Sequence, residues 1–445
     1  MSVIRPGELD ERVERLAHAL LKARPRPRVL GLASDNGADW VVADLAAQKA
    51  GVVLVPLPAF FTAAQIEHAI AETGMDSVIG ARLPGFEAAD SIEGLVWWRR
   101  AALPAAFPRD TSKMTFTSGT TGTPKGVALT TEEQRAVARA LATATRGLGL
   151  KRHLCLLPLA VLLENVAGVY APLGADIEVC VPSLAQVGMR GSSSLDAAGC
   201  LAAIERWQAD SVILLPQMLA TLAAALEGGA PAPKSLRFAA VGGAKVSSAL
   251  ILRARALGLP VYEGYGLSEC ASVVALNVPG ADKVGSVGRV LPHLHVEIRD
   301  GEIEVKTPDG GWRATGDLGR IDDEGFLYVH GRRKHVLITS YGRNVSPEWP
   351  EAELVAGPAI VQAAVFGEAQ PRLCALVVAA AGASASAVEA QVRAANARLP
   401  DYAQIGAWVR ADAPFTPQNG LATANGRARR EALWKRYGER LDGLF

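Results

Sequence analysis

Short apolar segments alternate with amphipathic helical segments along the first part of the chain. Leucine, valine and alanine recur at helical spacing after residue 8, and the run RPRPR ends that helix. A strand, a helix and a second strand at this spacing predict a βαβ unit with a parallel sheet. The predicted elements are helices at 8–22, 39–50 and 63–73, and strands at 29–33, 52–57 and 77–79.

The same alternation continues through the middle of the chain and then changes. Strands are predicted at 154–157, 177–181, 211–215 and 236–241, between alanine-rich helices. From about residue 284 the strands are short and separated by Gly and Asp, which predicts a small antiparallel β subdomain. After Arg332, strands and helices mix, as is typical of an α+β domain. We therefore expect an N-terminal α/β domain at 1–333 and a mobile C-terminal lid at 334–445.

The bulk composition excludes several classes of protein. With 46 Lys+Arg against 45 Asp+Glu, the net charge is +1, which gives no overall attraction to nucleic acid or to an anionic membrane. The five cysteines are scattered, without the spacing of a zinc site. No apolar run reaches the roughly 18 residues that span a bilayer. The sequence predicts a soluble, cytoplasmic protein with no nucleic-acid partner.

The strongest local pattern is MTFTSGTTGTPKGV at residues 114–127. Glycines let the backbone approach a ligand closely, and successive N–H groups can form an anion-binding nest. Hydroxyl side chains and Lys125 add donors and a positive charge. The spacing is not that of a Walker A loop. So many small residues around one lysine, between two strand-like segments, favour a phosphate site over a flexible linker.

Two further clusters of residues are weak indications of a binding site when each is taken alone. VYEGYGLSEC at residues 261–270 predicts a turn that ends in Glu269, in which an aromatic face could stack on a purine and a carboxylate could bind Mg²⁺. RATGD at 313–317 predicts a turn in which Asp317 could accept hydrogen bonds from a ribose, and Arg332 follows in YVHGRRK at 328–334.

In this order and spacing, the three clusters resemble the adenylate-forming superfamily, which includes acyl-CoA synthetases, firefly luciferase and the adenylation domains of nonribosomal peptide synthetases. The resemblance extends to GGA at 242–244, ITSYGRNVSPE at 338–348 and FTPQNGL at 415–421. It implies a two-step reaction. A carboxylate attacks the α-phosphate of ATP to give acyl-AMP and pyrophosphate, and a thiol of CoA or of a phosphopantetheine-bearing carrier protein then displaces AMP.

The resemblance also implies a role for each matching position. Glu269 would bind Mg²⁺, Tyr265 would stack on adenine, and Lys334 would be the hinge about which the lid rotates. The residues implied to contact ATP are Thr117, Ser118, Gly119, Thr120, Thr121, Gly122 and Lys125 at the phosphates, Gly242, Gly243, Ala244, Glu263, Gly264, Gly266 and Ser268 near the base, and Asp317 and Arg332 at the ribose.

The chain departs from the family at a catalytic position in its tail. Most members carry there a lysine that reaches the acyl-phosphate oxygens during adenylation, whereas this chain has Arg427. Arginine keeps the charge but is a longer, planar fork, so the exchange is not conservative. Either Arg427 performs the same work in a shifted pose, or adenylation is weak and the protein is a non-catalytic acyl-nucleotide-binding relative. The intact phosphate loop favours the first interpretation.

Only the segment LPLAVLLENV at residues 157–166 indicates which carboxylic acid is the substrate. Ala160 and Val161 stand where amino-acid-activating relatives place a Phe-Asp pair, so an amino acid is disfavoured, with Glu164 as a reservation. The segment resembles that of long-chain fatty acyl-CoA synthetases. We expect a fatty or other apolar acid, with an aryl acid as the alternative. The sequence does not distinguish CoA from an acyl carrier protein as the acceptor.

Overall fold

The computed structural model describes residues 3–5, 7–89, 91–102, 105–117, 125–190, 194–307, 310–423 and 426–445. The chain folds into two units. The first consists of Met1–Ile213, Pro233–Phe238 and Gly266–Val274, and the second of Leu214–Ala232, Ala239–Tyr265 and Ala275–Phe445.

The first unit alternates strands and helices along the chain. Its helices are α1 (Asp10–Lys22), α2 (Ala38–Ala50), α3 (Ala63–Thr73), α4 (Thr131–Thr145), α5 (Ala171–Gly174) and α6 (Ala197–Arg206). Its strands are β1 (Val3–Ile4), β2 (Val29–Ala33), β3 (Val53–Pro56), β4 (Ser77–Gly80), β5 (Glu87–Ala88), β6 (Trp97–Arg99), β7 (Thr111–Thr117), β8 (Lys125–Thr130), β9 (Arg152–Leu154), β10 (Glu178–Cys180), β11 (Met189–Arg190), β12 (Ser194–Leu195) and β13 (Ser211–Leu214).

Seven of these strands form a sheet in the order β5-β6-β4-β2-β3-β7-β8. β2 pairs in parallel with both β3 and β4, which confirms the predicted βαβ arrangement. β7 pairs antiparallel with the edge strand β8. In a second sheet, β10 and β13 both pair in parallel with β9. One hydrophobic core packs α1 and α2 against these sheets through residues such as Leu16, Trp40 and Leu54.

Side-chain caps explain where two helices of this unit begin. Thr62 accepts from the backbone N–H of Gln65, whose side chain accepts from Thr62 N–H, and Thr130 and Glu133 form the same capping box at α4. Because Thr130 is also the last residue of β8, the strand passes into α4 without a loop. The capping box therefore fixes the direction in which the chain leaves β8.

The second unit contains most of the remaining elements, apart from the residues 266–274 that belong to the first. Its helices are α7 (Pro216–Glu227), α8 (Ser248–Ala256), α9 (Glu348–Leu354), α10 (Ala385–Asn396) and α11 (Arg430–Asp442). The strands that follow β13 are β14 (Phe238–Val241), β15 (Val261–Leu267), β16 (Ser272–Leu276), β17 (Arg289–Val290), β18 (Val296–Arg299), β19 (Glu302–Lys306), β20 (Trp312–Ile321), β21 (Leu327–Arg332), β22 (Leu337–Ile338), β23 (Asn344–Val345), β24 (Ile360–Phe366), β25 (Leu373–Ala379) and β26 (Ile405–Arg410).

Strands β18 to β21 form a four-stranded antiparallel sheet, which confirms the predicted β subdomain. Farther along, β24, β25 and β26 form a three-stranded sheet with a hydrophobic core on each face. α9 and α10 contribute to one of these cores and α11 to the other. The fold class is thus an α/β region of parallel sheets followed by a small β subdomain and an α+β region, as predicted.

Within the described ranges, every helix is too short or too polar to cross a bilayer. All five cysteines carry free thiols, four of them buried.

Candidate functional site

Strands β7 and β8 flank the Gly/Thr-rich segment. Their antiparallel register runs from Thr111 to Thr117, and the last rung pairs Thr117 with Lys125. The predicted phosphate-contacting residues between those two lie outside the described residues, namely Ser118, Gly119, Thr120, Thr121 and Gly122. The hairpin therefore brings Thr117 and Lys125 together at the two ends of the segment.

The predicted metal ligand lies next to this hairpin. Ser268, Glu269 and Cys270 form a 3₁₀ turn that contacts β8, whose first residue is Lys125. The preceding Gly266 is crowded, since a Cβ atom there would lie 1.8 Å from the Ser272 carbonyl oxygen. A side chain at residue 266 would push this turn away from its position, so the close approach requires glycine.

Helix α3 contributes two residues beside the hairpin that the sequence did not point to. The His68 ring makes an edge contact with Phe116 of β7, with ring centroids 6.0 Å apart. Glu72 lies so close to Gly126 of β8 that an added Cβ would be 2.7 Å from its Oε1 atom. Helical spacing placed both side chains on α3, but only the tertiary packing places them next to β7 and β8.

In the second unit, Asp317 is held from two sides. Tyr265 donates its hydroxyl hydrogen to Asp317 Oδ2 at 2.6 Å, and Arg332 Nε lies 2.8 Å from Oδ1. Burial raises the pKa of Asp317 above its ordinary value, against the lowering effect of Arg332. The structure thus brings together one residue from each of β15, β20 and β21, as the predicted nucleoside-binding group requires.

Both predicted turns in this region are wrong. Glu263, Gly264 and Tyr265 lie in strand β15, and Asp317 lies within the ten-residue strand β20. Val261, Tyr262 and Glu263 pair in parallel with β14, and the strand continues through the glycines that follow. In β20 a register shift next to Asp317 produces the backbone irregularity that Gly316 suggested.

The GGA segment follows β14 and contacts the tail. Arg427 donates from Nη2 to the Gly243 carbonyl oxygen at 2.7 Å. A Cβ atom at Gly242 would lie 2.9 Å from the Gly264 carbonyl oxygen, so the segment that includes Ala244 packs directly on β15. The structure therefore places Arg427 next to the segment predicted to contact adenine. Lys334 lies in the 3₁₀ turn Arg333–His335, directly after β21.

Glu263 is a buried acid beside the same segment. Burial raises its pKa to about 8, although Lys245 and the backbone N–H of Val246 both lower it. Lys245 in turn donates to the Val329 carbonyl oxygen at 2.6 Å, and burial lowers its pKa. The carboxyl group thus fixes the backbone immediately after Ala244.

The segment predicted to line the acyl pocket lies in the first unit. Leu157, Leu159 and Leu162 are buried. Glu164 is fully buried, with Oε1 3.0 Å from His153 Nε2 and Oε2 accepting from the Leu157 N–H at 3.0 Å. Both carboxylate oxygens therefore have partners inside the protein.

A buried ionic network connects this segment to β7, and no sequence pattern predicted it. Lys113 of β7 lies 2.9 Å from Asp44 Oδ1, with both side chains fully buried. Tyr170 donates to Asp44 at 2.5 Å, and Asn165 donates to it at 2.8 Å. Asn165 and Tyr170 belong to the π-helix Glu164–Tyr170. The network thus links the strand before the Gly/Thr-rich segment to the helix that begins within the predicted acyl wall.

Comparison with known families agrees with this arrangement. The AMP-binding enzyme family matches residues 7–318, and the AMP-binding enzyme C-terminal domain matches residues 334–445. The chain belongs to the AMP-binding enzyme family. The resemblance to adenylate-forming enzymes is confirmed.

The relatives of this chain differ from one another in the acid that their names give. A 2-succinylbenzoate–CoA ligase of Bacillus velezensis is 33% identical over 59% of this chain and 57% of its own length. The long-chain-fatty-acid–CoA ligase FadD15 of Mycobacterium bovis is 30% identical over 47% of this chain and 42% of its own. A feruloyl-CoA synthase of Amycolatopsis sp. is 29% identical over 82% of this chain and 81% of its own. The matches thus span about half the length of the first two relatives.

Solved structures share the fold over nearly the whole of this chain. The anthranilate CoA ligase AuaEII in complex with anthranoyl-AMP superposes with a TM-score of 0.76 at 19% identity, covering 95% of this chain and 91% of that one. The o-succinylbenzoate CoA synthetase of Bacillus subtilis in complex with ATP and magnesium has a TM-score of 0.72 at 24% identity, covering 96% and 93%.

Proposed function

We propose that this chain is an AMP-forming acid–thiol ligase. It activates a carboxylic acid with ATP and transfers the acyl group from acyl-AMP to the thiol of CoA or of an acyl carrier protein. The observation that carries the proposal is the group formed by Tyr265, Asp317 and Arg332, together with the contact of Arg427 with Gly243. These residues come from widely separated parts of the chain. The resemblance implies that Tyr265, Asp317 and Arg332 contact the nucleoside and that Arg427 reaches the acyl-phosphate oxygens.

The residues present fit ATP and Mg²⁺. Each Asp317 oxygen accepts one hydrogen bond within the protein and retains a lone pair for a ribose hydroxyl. Glu269 supplies an oxygen ligand of the kind Mg²⁺ prefers. ATP supplies the phosphorus that the carboxylate attacks. The resemblance implies for Lys125, and separately for Arg427, a role in stabilising the negative charge that develops there. Lys334 is the proposed hinge between domains 1–333 and 334–445.

We infer a fatty or other apolar acid as the substrate. The only acid in the 157–166 segment is Glu164, and its pairing with His153 and Leu157 leaves no carboxylate there for a substrate amine. An aryl acid is the second candidate, because the names of the succinylbenzoate and feruloyl relatives give aryl acids. Either acid would pack against the buried leucines.

The test is acid-dependent exchange of pyrophosphate into ATP, across a panel of fatty, aryl and amino acids, with Asp317→Ala as the control. Exchange with an apolar acid, and thioester formation when CoA is added, are the expected results. If no acid of the panel supports pyrophosphate exchange while calorimetry still detects ATP binding, the protein is instead a non-catalytic acyl-nucleotide-binding protein. Exchange with amino acids alone would refute the assignment of substrate.

A further inference from the structure

Glu348, at the start of α9, lies between the proposed hinge and the tail. Its Oε1 atom is 2.5 Å from His335 Nδ1, and His335 directly follows Lys334 in the chain. The same oxygen lies 4.0 Å from Arg430 Nη2. Burial alone would raise the pKa of Glu348, but the hydrogen bond from His335 and the charge of Arg430 bring it below its ordinary value. One carboxylate thus joins two segments that are distant in sequence.

Arg430 anchors the part of the tail that presents Arg427. It lies 2.7 Å from Glu351 Oε1 and donates to the Val365 carbonyl oxygen at 2.9 Å. Arg427 precedes it by three residues, before the start of α11, and its backbone N–H donates to Thr423 Oγ1 at 3.1 Å. The contact between Arg427 and Gly243 therefore depends on where Arg430 is held.

The second oxygen of Glu348 faces the strand that carries Arg332. Oε2 is buried and has no hydrogen-bond partner among the described residues. A Cβ atom at Gly331 would lie 3.2 Å from it, so β21 can approach this oxygen closely because residue 331 is glycine. Three guanidinium groups (Arg332, Arg427 and Arg430) thus share their surroundings with three carboxylates (Asp317, Glu348 and Glu351). The negative charge of Glu348 reduces repulsion among the arginines.

We propose that Glu348 is a positioning residue for adenylation, because it joins the segment beside Lys334 to the tail that presents Arg427. The inference rests on the proposed function. It assigns Glu348 no contact with ATP or acid. Its carboxylate acts through His335 and Arg430, so losing it displaces Arg427 from Gly243 while the fold remains.

The test compares Glu348→Gln with the wild type in the two half-reactions, measured separately. Adenylation is followed by pyrophosphate exchange, and thioester formation by the consumption of chemically prepared acyl-AMP in the presence of CoA. Glu431→Gln is the matched control, since Glu431 is exposed on α11 next to Arg430. We expect exchange to fall about 10-fold, as for loss of one charge-assisted hydrogen bond, while thioester formation and the unfolding temperature stay near wild type.

A double variant with His335→Gln supplies the second measurement. If the two residues act as one unit, the double variant exchanges no more slowly than Glu348→Gln alone. Equal loss in both half-reactions, or exchange at the wild-type rate in Glu348→Gln, would overturn the inference. Absence of exchange in the wild type would instead remove the proposed function, so the two failures are distinguishable.

Discussion

The guanidinium group of Arg427 donates a 2.7 Å hydrogen bond to the backbone carbonyl of Gly243. This contact joins the tail to the segment that the family places against adenine. It bears directly on the interpretation left open by the sequence, namely whether an arginine at this position can replace the lysine of most family members. The contact places the guanidinium beside the segment predicted to bind adenine, and we propose that Arg427 acts from there in adenylation.

We expect Arg427→Ala to reduce pyrophosphate exchange by about 10²-fold, because a positive charge that stabilises the transferred phosphoryl group is lost. Arg427→Lys keeps the charge and should retain most of the activity if charge matters more than the fork geometry. The measurement is kcat for exchange with the best acid of the panel. If Arg427→Ala exchanges like the wild type, Arg427 has no catalytic role.

Glu269 lies in a turn against β8, and we propose that it holds Mg²⁺. Glu269→Ala should lower exchange by about 10²-fold or more, and the Mg²⁺ concentration that gives half-maximal exchange should rise. Glu132→Ala is the control, because Glu132 is an exposed acid on α4, paired only with the surface residue Arg139 in the described chain. An unchanged Mg²⁺ requirement in Glu269→Ala would count against this assignment.

The sequence predicted the elements whose signals are local. β2 and α3 have the predicted bounds, because an apolar run between breaks and a capping box are each encoded within a few neighbouring residues. The strand predicted at 154–157 instead spans Arg152–Leu154. Pairing with β10 and β13 decides its position, and these partners are distant in sequence.

The roles proposed for the site residues come from motifs. The roles proposed for Asp317, Arg332 and Glu269 follow from the resemblance. No role followed for Glu348, although it is the last residue of the motif at 338–348, and Lys113 lies outside the motifs. A lysine in an apolar strand gives no indication of its partner until the fold brings Asp44 to it. The strand conformation of β15 was missed for the same reason, since its glycines signal a turn and the pairing of Val261–Glu263 with β14 is a tertiary contact.

The pKa of Glu263 predicts how stability depends on pH. Burial raises this pKa from 4.5 to about 8, so the folded protein holds the proton more tightly than the unfolded chain. The contribution to stability is fully present below pH 4.5 and is lost as the pH rises towards about 8. Glu263→Gln cannot lose a proton, so the unfolding temperature of the wild type should fall relative to this variant across that interval. If the unfolding temperatures of the wild type and of Glu263→Gln change in parallel with pH, the raised pKa of Glu263 is contradicted.

The buried pair of Lys113 and Asp44 predicts a stability effect that depends on which partner remains. Burial lowers the pKa of Lys113, whereas the charge of Asp44 raises it, so each charge is tolerated because of the other. Lys113→Met leaves the Asp44 carboxylate buried without its counter-ion and should cost about 3–5 kcal/mol of unfolding free energy. The double variant Lys113→Met with Asp44→Asn should recover part of that loss, because the uncompensated charge is gone. Arg139→Met, in an exposed pair, is the control and should change stability by less than about 1 kcal/mol. Urea denaturation of the four proteins measures these differences, and a double variant less stable than Lys113→Met would show that the remaining charge is not what destabilises the single variant.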